Sequence, residues 1–383
     1  MLPYYIFLIQ FVSNFKFMKM KTYGENYMTI KLGVAGLGYV STCFLHGLSL
    51  HKKGEDVWTC LSNPIRNEID VPLKDIELVK VFEIDPKKIG KNVNDVIRSY
   101  YPTQPDDYKG IKVEKGVCAE DVSSHVIKNA VSIWDDIPKG DTEKYLRERM
   151  KGLDVLVIAS TTEPMQDNTS SKIYTLYALK EGVSVINGIP TQIQGTEEFD
   201  YLAREQKAVL FGNDFASGAT PLTHDLLCHL AQHGRIPLNI AQWQYASNND
   251  FLSLSDSSTR GKSKKISKSK IISQVFPNRL IPQHIGIDFI QESHLDPDTK
   301  HVYLNIHYQT FAGTRNYITV TAQISDSPSA SVLIGDLIRL VPLAKKKGDY
   351  VPEEANAFYF KSPKKIYDSR IDAFNRLLKW IKS

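Results

Sequence analysis

Five lysines lie within nine consecutive residues, KSKKISKSK, at positions 262–270. Lys264 and Lys268 are four residues apart, so on a helical turn their side chains share one face. In a closed pocket, ammonium groups can anchor a phosphate or an oxyanion, and burial beside other cations lowers the pKa of a lysine. A lysine run is more often a solvated surface, which we expect of the other three lysines. A base-stacking nucleic-acid platform is poorly supported, because the segment contains no aromatic residue.

A glycine-rich turn follows the first predicted strand. Gly36, Gly38 and Ser41 form the pattern G-x-G-x-x-S in GLGYVS. The first glycine permits a tight turn, the second lets the backbone approach a pyrophosphate, and the small third residue keeps the helix close to the sheet. The pattern predicts a dinucleotide site, with an ordinary structural turn as the alternative.

The second predicted strand ends in acidic residues, in VFEIDPKKIG. Asp85 is our candidate for the acid that binds the adenosine ribose hydroxyls, although a polar insertion separates it from Gly36 by 49 positions. An acid at this place favours NAD over NADP, whose additional phosphate it would repel. Four further residues are included in the predicted NAD site: Tyr39, Val40, Ser160 and Thr161.

The elements that must position these residues alternate between strands and helices. Helical patterns separate five apolar segments, IKLGVAG, IELVKVFEID, LDVLVIAS, VSVINGIP and AVLFGND. This alternation predicts a doubly wound parallel sheet of the Rossmann type. After about residue 237, three strands follow without crossover helices, which predicts an inserted, more antiparallel α+β domain. A long apolar helix, SASVLIGDLIRLVPLAKKKG, then returns to the first domain.

The predicted NAD-binding domain comprises residues 28–237 and 326–383, and residues 238–325 form a catalytic and tetramerisation domain. Residues 1–27 are interpreted as an N-terminal extension that precedes a natural start at Met28. The apolar segment MLPYYIFLIQFV is too short for a membrane helix and lacks the basic region and cleavage site of a signal peptide. A short amphipathic anchor is the alternative, and we expect a cytoplasmic protein that does not enter a membrane.

Composition limits the function classes. The chain has 383 residues and a formal net charge of +4, from 47 basic and 43 acidic residues. This weak charge argues against a nucleic-acid-binding domain, which is usually strongly basic. The four cysteines form no CxxC pair, so neither a zinc ribbon nor a redox motif is indicated, and we expect four reduced thiols.

Several stretches together resemble the myo-inositol-1-phosphate synthase family, and within it the archaeal and actinobacterial branch. The matching stretches are GLGYVSTCFLHGL, VFEIDPKKIGK, GNDFASGATPLTHDLL, NNDFLSLSD, SKKISKS, SDSPSASVLIGDLIRL and FYFKSPKK. They occur in family order from about Ile30 to Lys365. The resemblance implies an isomerase that oxidises glucose 6-phosphate at C5 with NAD, closes the ring from C6 to C1 by an aldol step, and reduces C5 again.

The resemblance also implies roles for charged residues. Lys264 with Asp214 would move the proton of the C5 hydroxyl. Lys268 and Lys300 would hold the phosphate, and Lys361 would polarise the C1 aldehyde or a developing oxyanion. Such a site must anchor a phosphate dianion, stabilise an enolate oxygen and shuttle a proton.

Further residues are carried over from the same motifs. Ser217 belongs to GNDFAS, and Asn248 with Asp250 would shape the floor of the pocket. Asp326 would orient the lysines or, together with Ser327, bind a divalent metal ion near the cofactor phosphate.

The chain departs from the family at three places. GLGYVST replaces a glycine loop that carries an asparagine pair in eukaryotic members, Ala216 stands where relatives often have lysine, and Asn213 stands where an acid is common. These departures bear on the cofactor loop and on the surroundings of Asp214, and leave the predicted fold unchanged.

Two other function classes stay open at this point. One is a conventional NAD-dependent sugar-phosphate or hydroxy-acid dehydrogenase, and the other is a non-catalytic protein that senses NAD or binds nucleic acid through the lysine run. The resemblance further implies a homotetramer, assembled through the inserted domain, whose strands would otherwise leave open edges.

Overall fold

A six-stranded parallel sheet forms the core of the larger part of the molecule. Its strands are β1 (Ile30–Ala35), β2 (Ile76–Glu83), β3 (Val113–Lys115), β4 (Val155–Ile158), β5 (Ser184–Asn187) and β6 (Leu210–Phe211). They are ordered β3-β2-β1-β4-β5-β6, and every pair is parallel. This is the strand order of the Rossmann fold, so the predicted fold class is confirmed.

The structure is a computed structural model that describes residues 29–383, except 56, 58–64, 66, 67, 70, 120–128, 257 and 292–295. The predicted N-terminal extension and Cys60 therefore lie outside the described residues. The three cysteines within them, Cys43, Cys118 and Cys228, form no disulfide bond with one another.

Helices cover both faces of this sheet. Those that precede the second sheet are α1 (Tyr39–Lys52), α2 (Val93–Arg98), α3 (Thr142–Met150), α4 (Ser170–Lys180), α5 (Glu197–Glu205) and α6 (Ala219–Gln232). Strands β4 and β5 are wholly buried, as expected for parallel strands between helical layers. Two separate apolar clusters lie on the two faces of the sheet and account for most of its buried side chains.

A second, four-stranded sheet lies beyond α6. Its strands are β7 (Ile236–Ala246), β8 (Gln283–Phe289), β9 (Thr299–Gln309) and β10 (Arg315–Ser325), in the order β10-β9-β7-β8. Neighbouring pairs are antiparallel except β7 with β8. The parallel pair is joined by a crossover of two helices, α7 (Asn249–Asp256) and α8 (Ser258–Val275). Strand β8 is absent from the sequence prediction, because only one of its seven residues is buried.

The chain then returns to the first sheet through α9 (Asp326–Lys347), which packs against α1. Helix α9 starts at Asp326, three residues before the predicted apolar segment begins. It is the one helix of the described chain that is long and apolar enough to cross a membrane, but most of it is buried inside the protein. Helices α10 (Glu353–Tyr359) and α11 (Arg370–Lys382) complete the chain.

Candidate active site

The glycine turn and the loop after β4 meet where the strand order reverses, between β1 and β4. Gly36 has a φ of +95°, and a Cβ on it would lie 2.7 Å from the Ser160 Cα. Only glycine permits this contact between the two loops. Gly38 precedes α1, and a Cβ there would meet nothing within 4 Å, so open space faces its backbone. Ligands bind in this crevice in open α/β sheets.

Apart from Asp85, the predicted cofactor residues lie in the glycine turn, the first turn of α1 and the loop after β4, beside this crevice. Tyr39, Val40 and Ser41 form the first turn of α1, and the Ser41 hydroxyl donates to the Gly36 carbonyl at 2.7 Å. Ser160 and Thr161 follow β4 directly. Together they leave the amino terminus of α1 facing the crevice, which suits a pyrophosphate.

Glu83, which the sequence analysis passed over, is the last residue of β2. Its carboxylate accepts hydrogen bonds from the backbone nitrogens of Leu37 and Ile84, both at 2.8 Å, and lies 3.5 Å from the Lys88 ammonium. Asp85 stands two residues further on and accepts from the Lys87 nitrogen at 2.9 Å. Glu83 therefore fixes the glycine turn, and Asp85 lies just outside the strand.

The lysine run forms helix α8, and its residues divide between two environments. Lys268 is 8% exposed and the Lys264 side chain 15% exposed, and both face the interior. The other three lysines are exposed, as predicted: Lys262, Lys265 and Lys270. The spacing of four residues therefore places two lysines of the run on the face that the helix turns inward.

Asp214 is the centre of the buried charged groups. Its Oδ1 accepts from the Lys361 Nζ at 2.8 Å and lies 3.7 Å from the Lys264 Nζ, and its Oδ2 accepts from the Ser267 hydroxyl at 2.7 Å. Asp214 has a φ of +62°, an uncommon value for a residue with a side chain. Its carbonyl also accepts from the Lys361 nitrogen at 2.8 Å, which ties the α10–α11 connection to β6.

The ion pairs around Asp214 set its charge. Burial alone would raise the pKa of Asp214, but the ammonium groups of Lys264 and Lys361 outweigh burial and hold the pKa well below its usual range. Burial lowers the pKa of Lys264, but the carboxylates of Asp214 and Asp250 raise it further, so the net shift is upward. Asp214 and Lys264 therefore stay ionised as a pair.

Lys268 forms no ion pair with a carboxylate among the described residues, although Asp326 lies near enough to act on its pKa. Its ammonium donates to the side-chain oxygen of Gln244, a buried residue of β7. Burial, and then the charges of Lys300, Lys361 and Lys264, hold the pKa of Lys268 well below its ordinary value. This lysine is the group in the cluster that can most readily give up its proton.

Lys361 is intermediate between these two cases. Burial lowers its pKa, the Asp214 carboxylate raises it, and the net shift is downward. Gln274 of α8 donates to the Lys361 carbonyl at 3.1 Å, which helps to fix the residue beside the lysine helix.

A second ion pair lies at the start of α9. The Lys300 ammonium, on β9, donates to Asp326 Oδ2. Burial raises the pKa of Asp326, but Lys300 lowers it more strongly, to about 2. A Cβ on Gly218 would lie 2.3 Å from Asp326 Oδ1 and 3.9 Å from the Lys300 Nζ, and Gly218 has a φ of +60°. Glycine at this position allows α6 to begin directly against the ion pair.

Of the predicted metal ligands, Ser327 and one oxygen of Asp326 are engaged elsewhere, and Asp326 Oδ1 has no hydrogen-bond partner among the described residues. Ser327 donates its hydroxyl to Asp298 at 2.6 Å, and Asp326 is paired with Lys300. Within the described residues no group of three acidic, histidine or cysteine side chains could hold a metal ion. The residues as placed therefore do not fit the predicted divalent ion, because the ammonium of Lys300 already supplies the positive charge.

The remaining predicted site residues lie nearby with other contacts. Asn248 caps α7, accepting from the Phe251 nitrogen at 3.1 Å, so its side chain serves the helix. Asp250 accepts from the Thr162 nitrogen at 3.1 Å. Ser217 precedes Gly218 and is partly exposed beside the Lys300–Asp326 pair.

Taken together, the cluster carries excess positive charge. Four lysines and two aspartates, with all six groups ionised, sum to +2: Lys264, Lys268, Lys300, Lys361, Asp214 and Asp326. Asp250, which also acts on Lys264, reduces the sum to +1 when it is ionised. Burial first, and then the neighbouring ammonium groups, lower the pKa values of Lys268 and Lys361. A ligand that carries a dianionic phosphate would offset the positive charge.

Sequence reasoning missed three polar side chains of this site. Ser267 donates to Asp214, Gln244 accepts from Lys268, and Glu83 accepts from the Leu37 nitrogen of the glycine turn. Ser267 lies three residues after Lys264, so helical spacing could have indicated it. Gln244 lies between the exposed Trp243 and the half-buried Tyr245 in a predicted strand, so a polar residue on the buried face of that strand was the available signal.

The chain is similar in sequence to several curated proteins. The sequence family described as myo-inositol-1-phosphate synthase matches residues 218–327. The inositol-3-phosphate synthase of Mycolicibacterium smegmatis is 24% identical over 354 residues, which cover 88% of this chain and 93% of that protein. The inositol-3-phosphate synthase of Corynebacterium glutamicum is 25% identical over 370 residues, which cover 90% and 98%.

Solved structures share the fold. A myo-inositol-1-phosphate synthase-related protein from Thermotoga maritima is 30% identical with a TM-score of 0.83, covering 93% of this chain and 99% of that one. The inositol-3-phosphate synthase of Caenorhabditis elegans has a TM-score of 0.74 at 17% identity, covering 93% and 86%. The second likeness, at its low identity, shows the fold alone.

Proposed function

This chain belongs to the myo-inositol-1-phosphate synthase family, and we propose that it is an inositol-3-phosphate synthase that converts D-glucose 6-phosphate to 1D-myo-inositol 3-phosphate. Membership of the family confirms the resemblance drawn from the motifs and the prediction of an isomerase-class enzyme. The substrate and the course of the reaction are our proposal.

The observation that carries the proposal is the buried surplus of positive charge. Lys268 and Lys300 stand at one side of the cluster, where Lys300 is the largest ionic influence on the pKa of Lys268. Both suit the phosphate dianion of glucose 6-phosphate, because charge-assisted hydrogen bonds to phosphate are strong. Bound phosphate would also restore the proton of Lys268.

The crevice between the glycine turn and the β4 loop fits NAD. The support is the glycine-only contact at Gly36, the open backbone at Gly38 and the start of α1 behind them. Bound NAD would supply reversible oxidation and reduction at C5 of the sugar, so the reaction has no net redox change.

The chain's own residues would handle the charges that appear on the sugar. Lys264 stays charged beside Asp214, so it suits the C5 oxygen when a C6 proton is lost and negative charge develops there. Lys361, whose pKa is lowered, would accept the proton lost from C6 and return it to the C1 oxygen as the C6–C1 bond forms. Asp214, with its strongly lowered pKa, would position the two lysines, and proton movement would fall to the amines.

Product analysis tests this function. We expect the protein, incubated with glucose 6-phosphate and catalytic NAD, to form a cyclic polyol phosphate detected by phosphorus NMR, without accumulation of NADH absorbance. Stoichiometric NADH would instead identify a sugar-phosphate dehydrogenase. Absence of both products, with salt-sensitive binding to random DNA duplex, would support a nucleic-acid-binding protein and contradict the proposal.

The assembly that we propose is a homotetramer formed through the four-stranded sheet. Edge strand β10 has no buried residue along its 11 positions. One face of the sheet packs on α6 and α8, and the other carries three exposed aromatic side chains, Trp243, Tyr303 and Tyr317. An uncovered edge and an aromatic face are features that proteins commonly cover by association.

A further inference from the structure

The loop that follows β4 is held from outside the Rossmann sheet by two charged side chains. Thr162 is 2% exposed, and both polar groups of its backbone are bound. Its nitrogen donates to Asp250 Oδ1 at 3.1 Å, and its carbonyl accepts from Arg260 Nη1 at 2.5 Å. Asp250 lies on α7 and Arg260 on α8, so both come from the part of the chain that carries the lysines.

Arg260 shares a helix face with the buried lysines. It precedes Lys264 by four residues and Lys268 by eight, so the three side chains form one row along α8. Arg260 is 1% exposed and has the largest fully buried side chain among the described residues. Arg260 therefore binds the loop after β4, and Lys264 and Lys268 reach the charged cluster.

The Rossmann side of the same loop is fixed separately. Glu163 is 1% exposed and accepts from the Ser171 nitrogen at 2.8 Å and from the hydroxyls of Ser171 and Thr191. The loop is thus fastened at Glu163 to α4 and the β5 side, and at Thr162 to α7 and α8. A movement of α8 relative to the sheet would have to break the Arg260 contact.

We infer that Arg260 is a positioning residue that sets the register between the lysine helix and the cofactor crevice. This role rests on the proposed function. Arg260 would keep C5 of the sugar at hydride-transfer distance from the cofactor and would contact neither of them. Burying a guanidinium is costly unless it is well hydrogen-bonded, so the Arg260 contact with this loop is a specific feature of the fold. Asp250 binds the same residue, Thr162, from the neighbouring helix, and we call the two contacts the clamp.

Kinetics of Arg260→Met and Arg260→Lys test the inference. For Arg260→Met we expect kcat to fall about 10- to 100-fold, since displacements of about 1 Å cost that much in rate. The KM for glucose 6-phosphate should hold within about threefold, because Lys268 and Lys300, which would bind the phosphate, are both kept in the variant. The primary deuterium isotope effect with substrate deuterated at C5 should rise as hydride transfer becomes rate-limiting. Arg260→Lys, which keeps a cationic donor, should fall between wild type and Arg260→Met.

Arg339→Met is the matched control. Arg339 is also buried, and it donates to the backbone carbonyls of Val71 and Ile69. It lies on α9 and does not bind the loop after β4. The Arg339→Met variant should have a lower melting temperature and an unchanged isotope effect. A lower melting temperature in Arg260→Met with a wild-type isotope effect would show an ordinary structural role and overturn the inference.

Hydrogen exchange separates this inference from the proposed function. In Arg260→Met, and to a smaller extent in Arg260→Lys, amides of residues 160–163 should exchange faster than in wild type, while Arg339→Met leaves them unchanged. If the wild-type protein makes no inositol phosphate, the proposed function fails, and exchange still decides whether the clamp exists. Unchanged exchange at residues 160–163 in a folded Arg260→Met protein would refute the clamp.

Discussion

At the scale of single residues, Lys268 is the group whose protonation the structure ties most directly to ligand binding. Burial and three neighbouring ammonium groups hold its pKa well below the ordinary value. In the free protein the charged form is therefore disfavoured, and the stability penalty grows as pH falls from the ordinary lysine pKa to the lowered pKa, below which it is complete. A phosphate dianion reverses this balance, because it favours the charged form.

We predict that binding of inorganic phosphate or glucose 6-phosphate takes up a proton at neutral to mildly alkaline pH. Calorimetric titration in buffers of different ionisation enthalpy measures the uptake. Lys268→Met should bind the phosphate more weakly, by roughly 10-fold or more for a lost charge-assisted bond, and should take up less than the wild type. Equal proton uptake in both proteins would assign the titrating group elsewhere.

Alanine substitutions along the lysine run should divide into two classes. Lys264→Ala should lower turnover by about 10²- to 10³-fold, because a preorganised charge at the reacting oxygen is lost. Lys268→Ala should raise the KM for glucose 6-phosphate as well as lower kcat. Steady-state kinetics of the purified variants measures both parameters.

The exposed lysines of the same helix are the controls. Alanine at Lys262, Lys265 or Lys270 should leave activity within a few-fold, as is usual for exposed charges. A graded loss that follows total charge across all five variants would mean that the run acts as a diffuse basic surface, and the assignment of Lys264 and Lys268 would be wrong.

At the scale of elements, periodicity predicted five of the six strands of the Rossmann sheet and missed β3, which has only three residues. Strand β4 is a continuous apolar run, β5 is wholly buried around an apolar Val-Ile pair, and α9 is a long apolar helix. Strand β8 escaped prediction because only one of its seven residues is buried and the others are half-buried or exposed without regular alternation. The other edge strand, β10, alternates along its whole length and was predicted.

The candidate site shows a different limit. Lys264 and Lys268 could be paired from helical spacing alone, but Asp214 and Lys361 are separated by 147 positions and touch in the fold. Nothing in local propensity predicts such a contact. The family resemblance supplied these residues, and the structure adds that Ser267 and Lys361 share the Asp214 carboxylate.

The end of β2 allows a test of which acid serves the cofactor. Asp85→Ala should weaken NAD binding by about 1–3 kcal/mol without lowering the melting temperature, as for a lost charged hydrogen bond. Glu83→Gln should weaken NAD binding and also lower the melting temperature, since Glu83 holds the Leu37 nitrogen of the glycine turn. Fluorescence titration and thermal unfolding measure the two effects. Unchanged NAD affinity in Asp85→Ala would make Glu83 the ribose-binding residue.

At the scale of the whole molecule, the two sheets have different tasks. The parallel sheet presents the crevice at its strand ends, while the second sheet supplies Gln244 and Lys300 and supports α8. The charged cluster exists only where the two parts meet, around Asp214, Lys361 and the start of α9. Anything that stabilises the second sheet therefore also stabilises the cluster.

The tetramer is the prediction at this scale. Trp243 and Tyr303 lie opposite each other on β7 and β9, are 45% and 39% exposed, and stand 6.0 Å apart on the face that turns away from α6 and α8. Burial of such aromatic side chains against a second copy would contribute strongly to association. Light scattering at micromolar concentration should give a mass of about 173 kDa, four times the 43.3 kDa of one chain.

The double variant Trp243→Lys with Tyr303→Lys should dissociate the assembly into smaller species and lower activity with it. Tyr201→Lys, on the exposed surface of α5 beside the other sheet, should leave the mass unchanged. A wild-type monomer, or a double variant that keeps the full mass, would show that this face is not the interface.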